Sequence, residues 1–287
     1  MTAAIYRVFI VAGVAMAVGA AVQAAALQPA DDPAASVNWQ KVRTSVFQER
    51  VIMPAPPGLL RLEAPTRAID AALVPIAIRV RPPQTAQRFV SKLYLIIDAN
   101  PSPISAIFEL TPESGRVEIE TRVRVDEYSH VRAIAEMNDG QLYGTSRFVK
   151  ASGGCSAPAA SDEQAALASL GKMRLRVEGD LKGDVPVRAE LLINHPNHSG
   201  LAMDQLTRQF TPAHFVRKVD VSYAGKPVFS ADVDFSISEN PNFRFYFLPQ
   251  GQGRLRATAS DSRNLHFEQI EQIEQIEQIE VLRVSTP

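Results

Sequence analysis

Residues 117–125 read VEIETRVRV. Val117, Ile119, Val123 and Val125 alternate with Glu118, Glu120, Arg122 and Arg124, and Thr121 is the one polar residue on the apolar side. Successive strand side chains point to opposite faces, so this stretch predicts a strand with one face on a core and the other in water. The same period recurs upstream, where Val74, Ile76, Ile78 and Val80 alternate with Pro75, Ala77, Arg79 and Arg81. Lys92–Asp98 (KLYLIID) is apolar on both faces and suits a central strand. Asn138-Asp139-Gly140 separates Arg132–Met137 from Gln141–Val149, which is a hairpin signal. No long amphipathic helix interrupts the run. Residues 49–150 therefore read as an antiparallel sandwich, and residues 27–48 as a lead-in with a short helix around Trp39–Phe47. Trp39 is expected to pack on that sandwich rather than bind a ligand.

A second strand-rich block occupies residues 172–287. Val185, Val187, Ala189, Leu191 and Ile193 alternate, as do Val219, Val221 and Tyr223. Ala224-Gly225-Lys226-Pro227 turns the chain into Val228–Phe235. Phe243, Phe245 and Phe247 give another apolar face, and Leu255, Ala257 and Ala259 one more short strand. The fold class is thus all-β: two antiparallel sandwiches in tandem, expected to dock through apolar strand faces. Between them, residues 151–171 are rich in Ala, Ser and Gly, with a capping box at Ser161-Asp162-Glu163-Gln164 that opens a short helix through Leu170.

The first 26 residues read as an export signal. Arg7 precedes an apolar run from Val8 to Val22, and Val22-Gln23-Ala24 and Ala24-Ala25-Ala26 both suit a signal peptidase. The run falls short of the ~20 residues that a membrane span needs, so no membrane association is expected after cleavage. With 46% hydrophobic and 21% charged residues the chain can bury real cores. Its formal net charge of −1 offers no basic field for nucleic acid.

Against that export signal, one residue is unexpected. Cys155 is the only cysteine in 287 residues, within KASGGCSAPAAS (150–161). Exported proteins usually pair their thiols, and a leftover one points to intermolecular pairing or a reactive group. Gly153 and Gly154 read as a hinge, and Ala151–Cys155 can reach at most ~17 Å. The flanking small residues predict an exposed, mobile thiol, with Lys150 the one nearby cation in sequence.

These features carry a family resemblance. The first block, ending in Gly153-Gly154-Cys155, resembles the SoxY subunit of the bacterial sulfur-oxidation carrier. The second resembles its partner SoxZ through INHPNHSG (193–200) and GKPVFSADVDFSISENPNFRF (225–245). Together they resemble the fused SoxYZ-like carriers associated with quinoprotein dehydrogenases. The resemblance implies immunoglobulin-like sandwiches and a periplasmic carrier of thiosulfate-type sulfur oxidation. Cys155 would be the covalent attachment point and Gly153-Gly154 the hinge. Separate periplasmic redox or sulfur-metabolising enzymes would act on the cargo. In the two-subunit family the cysteine arm ends its chain, whereas 132 residues follow Cys155 here.

Other features weigh less. His195-Pro196-Asn197-His198, with His214 further on, has metal-like spacing but too few ligands for a zinc site, and neither metal nor cofactor is expected. Asp98, Glu109, Asp232 and Asp234 read as solvated carboxylates. Glu268–Glu280 is four Glu-Gln-Ile triplets and a final Glu. Its isoleucines would switch faces in a strand, so it reads as a slippage expansion within the last strand region. The leading functional expectation is a noncatalytic carrier loaded on Cys155. The alternative is a binding module for a periplasmic quinoprotein (PQQ) dehydrogenase with Cys155 incidental. A thiol enzyme ranks last, because no nucleophile–base pair is legible.

Overall fold

The computed structural model of the protein describes residues 32–273 apart from 82, 159–162, 180, 182–184 and 205–206. The expected signal, the Ser161 cap and the triplets beyond Ile273 lie outside the described residues. In chain order come α1 (Val37–Val42), β1 (Ile52–Pro54), β2 (Leu60–Glu63), β3 (Val74–Val80), β4 (Val90–Ile97), β5 (Ile104–Leu110), β6 (Val117–Val123), β7 (Ser129–Met137) and β8 (Leu142–Val149). After α2 (Glu163–Ala168) follow β9 (Met173–Glu178), β10 (Val187–Ile193), β11 (Val216–Tyr223), β12 (Lys226–Val233), β13 (Asn242–Phe247), β14 (Gly253–Asp261) and β15 (His266–Ile273).

The all-β reading of two tandem sandwiches holds. Val74, Ile76, Ile78 and Val80 all point inward, as do Val117, Ile119 and Val123. The price of placing Thr121 on that face is a buried hydroxyl with no hydrogen-bond partner. β4 lies between β7 and β5, as its two-sided apolarity requires. Asn138-Asp139-Gly140 turns β7 into β8, with Gly140 at φ +83°.

The halves meet differently from the expected docking of apolar faces. One sheet has the order β1-β8-β7-β4-β5-β12-β11-β14-β15, and the other β2-β3-β6-β13-β10-β9. Both sheets run unbroken from the first half into the second. In the larger, Ala106–Leu110 of β5 pairs antiparallel with Phe229–Val233 of β12. In the smaller, Glu120 of β6 registers with Arg244 of β13. Phe243, Phe245 and Phe247 are not left over for docking, because each is already buried between the sheets. Phe108 of the first half meets Phe229 and Phe243 of the second, with ring centroids 6.1 and 6.2 Å apart. Pairing strand edges satisfies backbone groups that two separate sandwiches would expose.

Charges reinforce the seam on the outer face of the smaller sheet. Glu120 receives Arg79 from its own half at 3.2 Å, and Arg188 and Arg244 from the other half at 2.7 and 3.6 Å. Such partly exposed pairs contribute at most about 1 kcal/mol each, so the shared core carries most of the adhesion.

The lead-in is pinned as expected of Trp39. Its ring packs on Phe47 and lies 4.4 Å from the Arg132 guanidinium. Arg132 in turn holds Asp98 through two bonds of 2.7 and 2.6 Å. Asp98 is therefore buried and paired, correcting its reading as a solvated carboxylate.

The first two Glu-Gln-Ile triplets lie in β15, which pairs with β14 over eight residues. Backbone pairing is indifferent to side-chain period, so the strand forms although its isoleucines switch faces: Ile270 is 42% exposed and Ile273 3%. Deleting residues 271–279 would place Leu282 where Ile273 now packs. Such an apolar exchange costs less than about 1.5 kcal/mol, so the deletion should move the thermal midpoint by only a few degrees. A two-state loss of most of the stability in a thermal melt would show that the repeat itself is needed.

Candidate functional site

β6 ends at Val123, and Arg124, Val125 and Asp126 follow it as a short edge whose N–H groups are held by the Ser236 and Ala71 carbonyls and by Asn100 Oδ1. The arm folds back onto that edge. Gly153 N–H donates to the Asp126 carbonyl at 2.7 Å and Gly154 N–H to the Val125 carbonyl at 3.0 Å. Cys155 N–H donates to Asp126 Oδ1 at 3.2 Å. Asn100 steadies this edge: its Nδ2 donates to the Arg124 carbonyl and its Oδ1 accepts the Asp126 N–H.

Gly154 is required here by space as much as by freedom. A Cβ at this position would lie 2.1 Å from the Ala71 carbonyl oxygen and 2.7 Å from that of Val125. Gly153 has φ +79°, a left-handed conformation that favours glycine. In this state the two glycines shape a seat.

From the second half, Ser199 closes the seat. Its hydroxyl donates to the Cys155 carbonyl at 2.5 Å and accepts the Leu201 N–H at 3.1 Å. Cys155 is 0% exposed and unpaired. The expectation of a solvent-exposed thiol is thus corrected. Small residues permit mobility, but they also permit close backbone packing, and here three successive N–H groups find acceptors.

The seat disfavours the thiolate. Burial, assisted by the Asp126 carboxylate, pushes Cys155 up to about 12, with Arg124 opposing and Asp234 adding to the rise. Asp234 is itself raised by burial, against hydrogen bonds from Ser102, Phe235 and Ser236. Its Oδ1 is buried without a partner, so it too departs from the solvated carboxylate expected.

Cys155, Gly153 and Gly154, each legible in the sequence, come together here. Arg124, Asp126, Asp234 and Ser199 join them without a local signal of that role. Ser199 lies inside the quoted INHPNHSG stretch, but nothing local marks it as a partner of a residue 44 positions away.

His195 and His214, weighed as metal ligands, meet over Asp261. Their Nε2 atoms lie 3.4 and 2.7 Å from Asp261 Oδ2, and all three residues are buried. His195 Nδ1 accepts the Asn197 N–H at 3.0 Å, which places its proton on Nε2, pointing at the carboxylate. A metal would need that lone pair free. Oδ1 of the same carboxylate accepts the N–H groups of Arg263 and Leu265. The cluster therefore acts as a clasp that ties the ends of β10 and β14 to the loop before β11.

Two outcomes follow from this geometry. Burial, and then the neighbouring His214, lower His195 to about 4, against the pull of Asp261. The unfolded chain therefore binds this proton more readily, and the clasp is fully stabilising above about pH 6.5 and weakens as pH falls toward 4. Between pH 7 and 5 the loss from this group is about 2 kcal/mol. Urea unfolding should show it, and His195→Gln should flatten the profile. Wild-type and variant curves of equal slope would refute the assignment. For the arm, Cys155 should react with a thiol reagent far more slowly in native protein than in urea. Losing the Ser199 bond, about 1 kcal/mol, should speed labelling of Ser199→Ala roughly fivefold. Gly154→Ala, which cannot occupy the seat, should label fastest. Native labelling at the unfolded rate would show that the seat does not hold.

The sulfur oxidation protein SoxY family matches residues 43–155, and the sulphur oxidation protein SoxZ family matches residues 173–271. No curated protein matches the chain. Among solved structures, the sulfur carrier protein SoxY from Chlorobium limicola f thiosulfatophilum is 22% identical, covering 40% of this chain and 91% of that one, with a TM-score of 0.34. A superoxide reductase (neelaredoxin) from Ignicoccus hospitalis is 17% identical over 32% of this chain and 78% of its own, with a TM-score of 0.28. The assignment rests on the family matches, whose order along the chain is SoxY and then SoxZ. Cys155 is the last residue of the SoxY match and Ser199 lies within the SoxZ match. The chain is a fused SoxYZ-like protein, with both halves of the carrier in one polypeptide.

Proposed function

We infer that the protein is a noncatalytic carrier in sulfur oxidation that holds its cargo covalently on Cys155 and works in the periplasm. The observation that carries this reading is the position of the only thiol. It ends the SoxY match, and it lies in the seam where Ser199 of the other half reaches it. The export-type leader at residues 1–26 supports a location outside the cytoplasm.

The seat suggests how such a carrier would stay inert between encounters. With the thiol near 12, about one molecule in 10⁵ is thiolate at pH 7; at the ordinary ~8.5 of a free thiol about 3% is. Withdrawing the arm thus raises the nucleophile population roughly three-thousandfold before any partner contributes. Gly153 and Gly154 would be the pivot. Among the described residues the arm is held in the seat by the backbone contacts, Asp126 and Ser199, and a partner surface could compete for it. Because the chain continues past Cys155, the arm would emerge as a loop tethered at both ends. Partner enzymes would then need an open cleft rather than a narrow tunnel.

A second reading has support in the burial itself: a parked, unreactive thiol is compatible with a binding module for a quinoprotein dehydrogenase system. Intact mass of protein isolated from its own host without reductant separates the two. Carrier function predicts a reducible adduct confined to Cys155, and loss of the host's sulfur-oxidation phenotype in Cys155→Ser. Bare thiol together with an unchanged Cys155→Ser phenotype would favour the binding module.

A further inference from the structure

Two arginines of the first half are equally buried, each 5% exposed. Arg132 has its counter-charge, the Asp98 carboxylate, at 2.6 Å. Arg124 has none: among the described residues no carboxylate lies within ion-pair distance of its guanidinium. Its Nη1 donates to the carbonyls of Phe235 and Ile237 at 3.0 and 2.8 Å, and its Nε and Nη2 make no bond to any described residue. A buried cation without an anion is costly, and proteins normally pair it. Burial lowers the Arg124 pKa, with Cys155 and Glu239 opposing in that order, so neither makes up the deficit.

The same short edge that carries Arg124 holds the arm. Val125 and Asp126 accept the N–H groups of Gly154 and Gly153, and Asp126 Oδ1 accepts that of Cys155. Two carboxylates, Asp126 and Asp234, also face the thiol and would repel an anion there. Of the charged groups around the thiol, Arg124 is the one that favours an anion there.

We propose that Arg124 is the anion partner of the loaded carrier: a negatively charged adduct on Cys155 supplies its missing counter-charge, and the seat favours anionic over neutral cargo. This rests on the carrier reading and adds to it a residue and a charge preference. Arg124 acts as a positioning residue that forms no bond to sulfur during transfer.

Two chemically loaded forms of the full chain provide the test. With tetrathionate, the deprotonated Cys155 sulfur attacks the central S–S bond, giving Cys–S–S–SO₃⁻ and releasing thiosulfate. The attacking sulfur is oxidised and the displaced one reduced, and the thiol proton passes to solvent. With methyl methanethiosulfonate, the same thiolate gives neutral Cys–S–S–CH₃ and releases methanesulfinate. Loading occurs through the open arm and is verified by intact mass.

The anionic form should melt several degrees above the neutral form. That gap should shrink to about 1 °C or less in Arg124→Gln and survive in part in Arg124→Lys, which keeps the charge. Equal melting of the two wild-type forms, or an undiminished gap in Arg124→Gln, overturns the proposal. If Arg124→Gln does not fold, the wild-type comparison and Arg124→Lys still decide: no wild-type gap, or a gap enlarged in Arg124→Lys, overturns it. A native adduct on Cys155 combined with no gap would leave the carrier reading standing and remove only the anion partner.

Discussion

The antiparallel pairing of Ala106–Leu110 with Phe229–Val233 joins the two halves of the larger sheet. It turns two sandwiches into a pair of sheets that continue from one half to the other. A seam of this kind has no solvated edge for either half to expose. It also puts Phe108 between Phe229 and Phe243, so the core is shared across the boundary. Fusion into one chain keeps the halves at high effective concentration, but the backbone ladder and the aromatic cluster fix their register.

The seat of Cys155 is a consequence of that register. Residues 124–126 belong to the first half and Ser199 to the second, and both must be in place for the arm to settle. Asn100 and Arg124 extend the same arrangement across the seam. Asn100 Nδ2 bonds Ser236 Oγ, and Arg124 Nη1 bonds the carbonyls on either side of Ser236. The thiol is thus shielded by parts of both family domains, and its chemistry is set by both. Burial and carboxylates raise its pKa, while one uncompensated guanidinium opposes them. Resting inertness and readiness for charged cargo would then come from the same few residues.

Polar burial elsewhere in the molecule has a different purpose. The Asp98–Arg132 pair under Trp39 fastens the lead-in to the first half. The His195–His214–Asp261 clasp fastens loops at one end of the second. In the first a guanidinium and a carboxylate pair directly, and in the second two imidazoles share one carboxylate. Arg124 differs because it lacks a counter-charge, and Asp234 because its Oδ1 is buried without a partner. Both lie around the cysteine, where an adduct could change the balance.

Local pattern specifies the strands and the class of fold. Alternation at 74–80, 117–123, 187–193 and 242–247 specifies which face is buried, because side-chain direction in a strand is local geometry. The hairpin at Asn138-Asp139-Gly140 and the lone thiol beside two glycines were legible for the same reason. How the halves join is visible in the three-dimensional packing alone, since strand-edge pairing depends on which edges are free and leaves no periodic trace in either partner. That packing alone decides that Cys155 is parked: Gly153-Gly154 reads identically as a hinge or as a close-packed contact, and the Ala71 carbonyl that distinguishes the two is more than 80 residues away in sequence. Likewise Glu-Gln-Ile triplets entered β15 because backbone hydrogen bonds to β14 do not register side-chain period. Arg124 looked like the solvent-facing member of an alternating strand. It is buried because the strand ends at Val123, and the chain beyond it turns under the second half, a long-range event that no local pattern encodes.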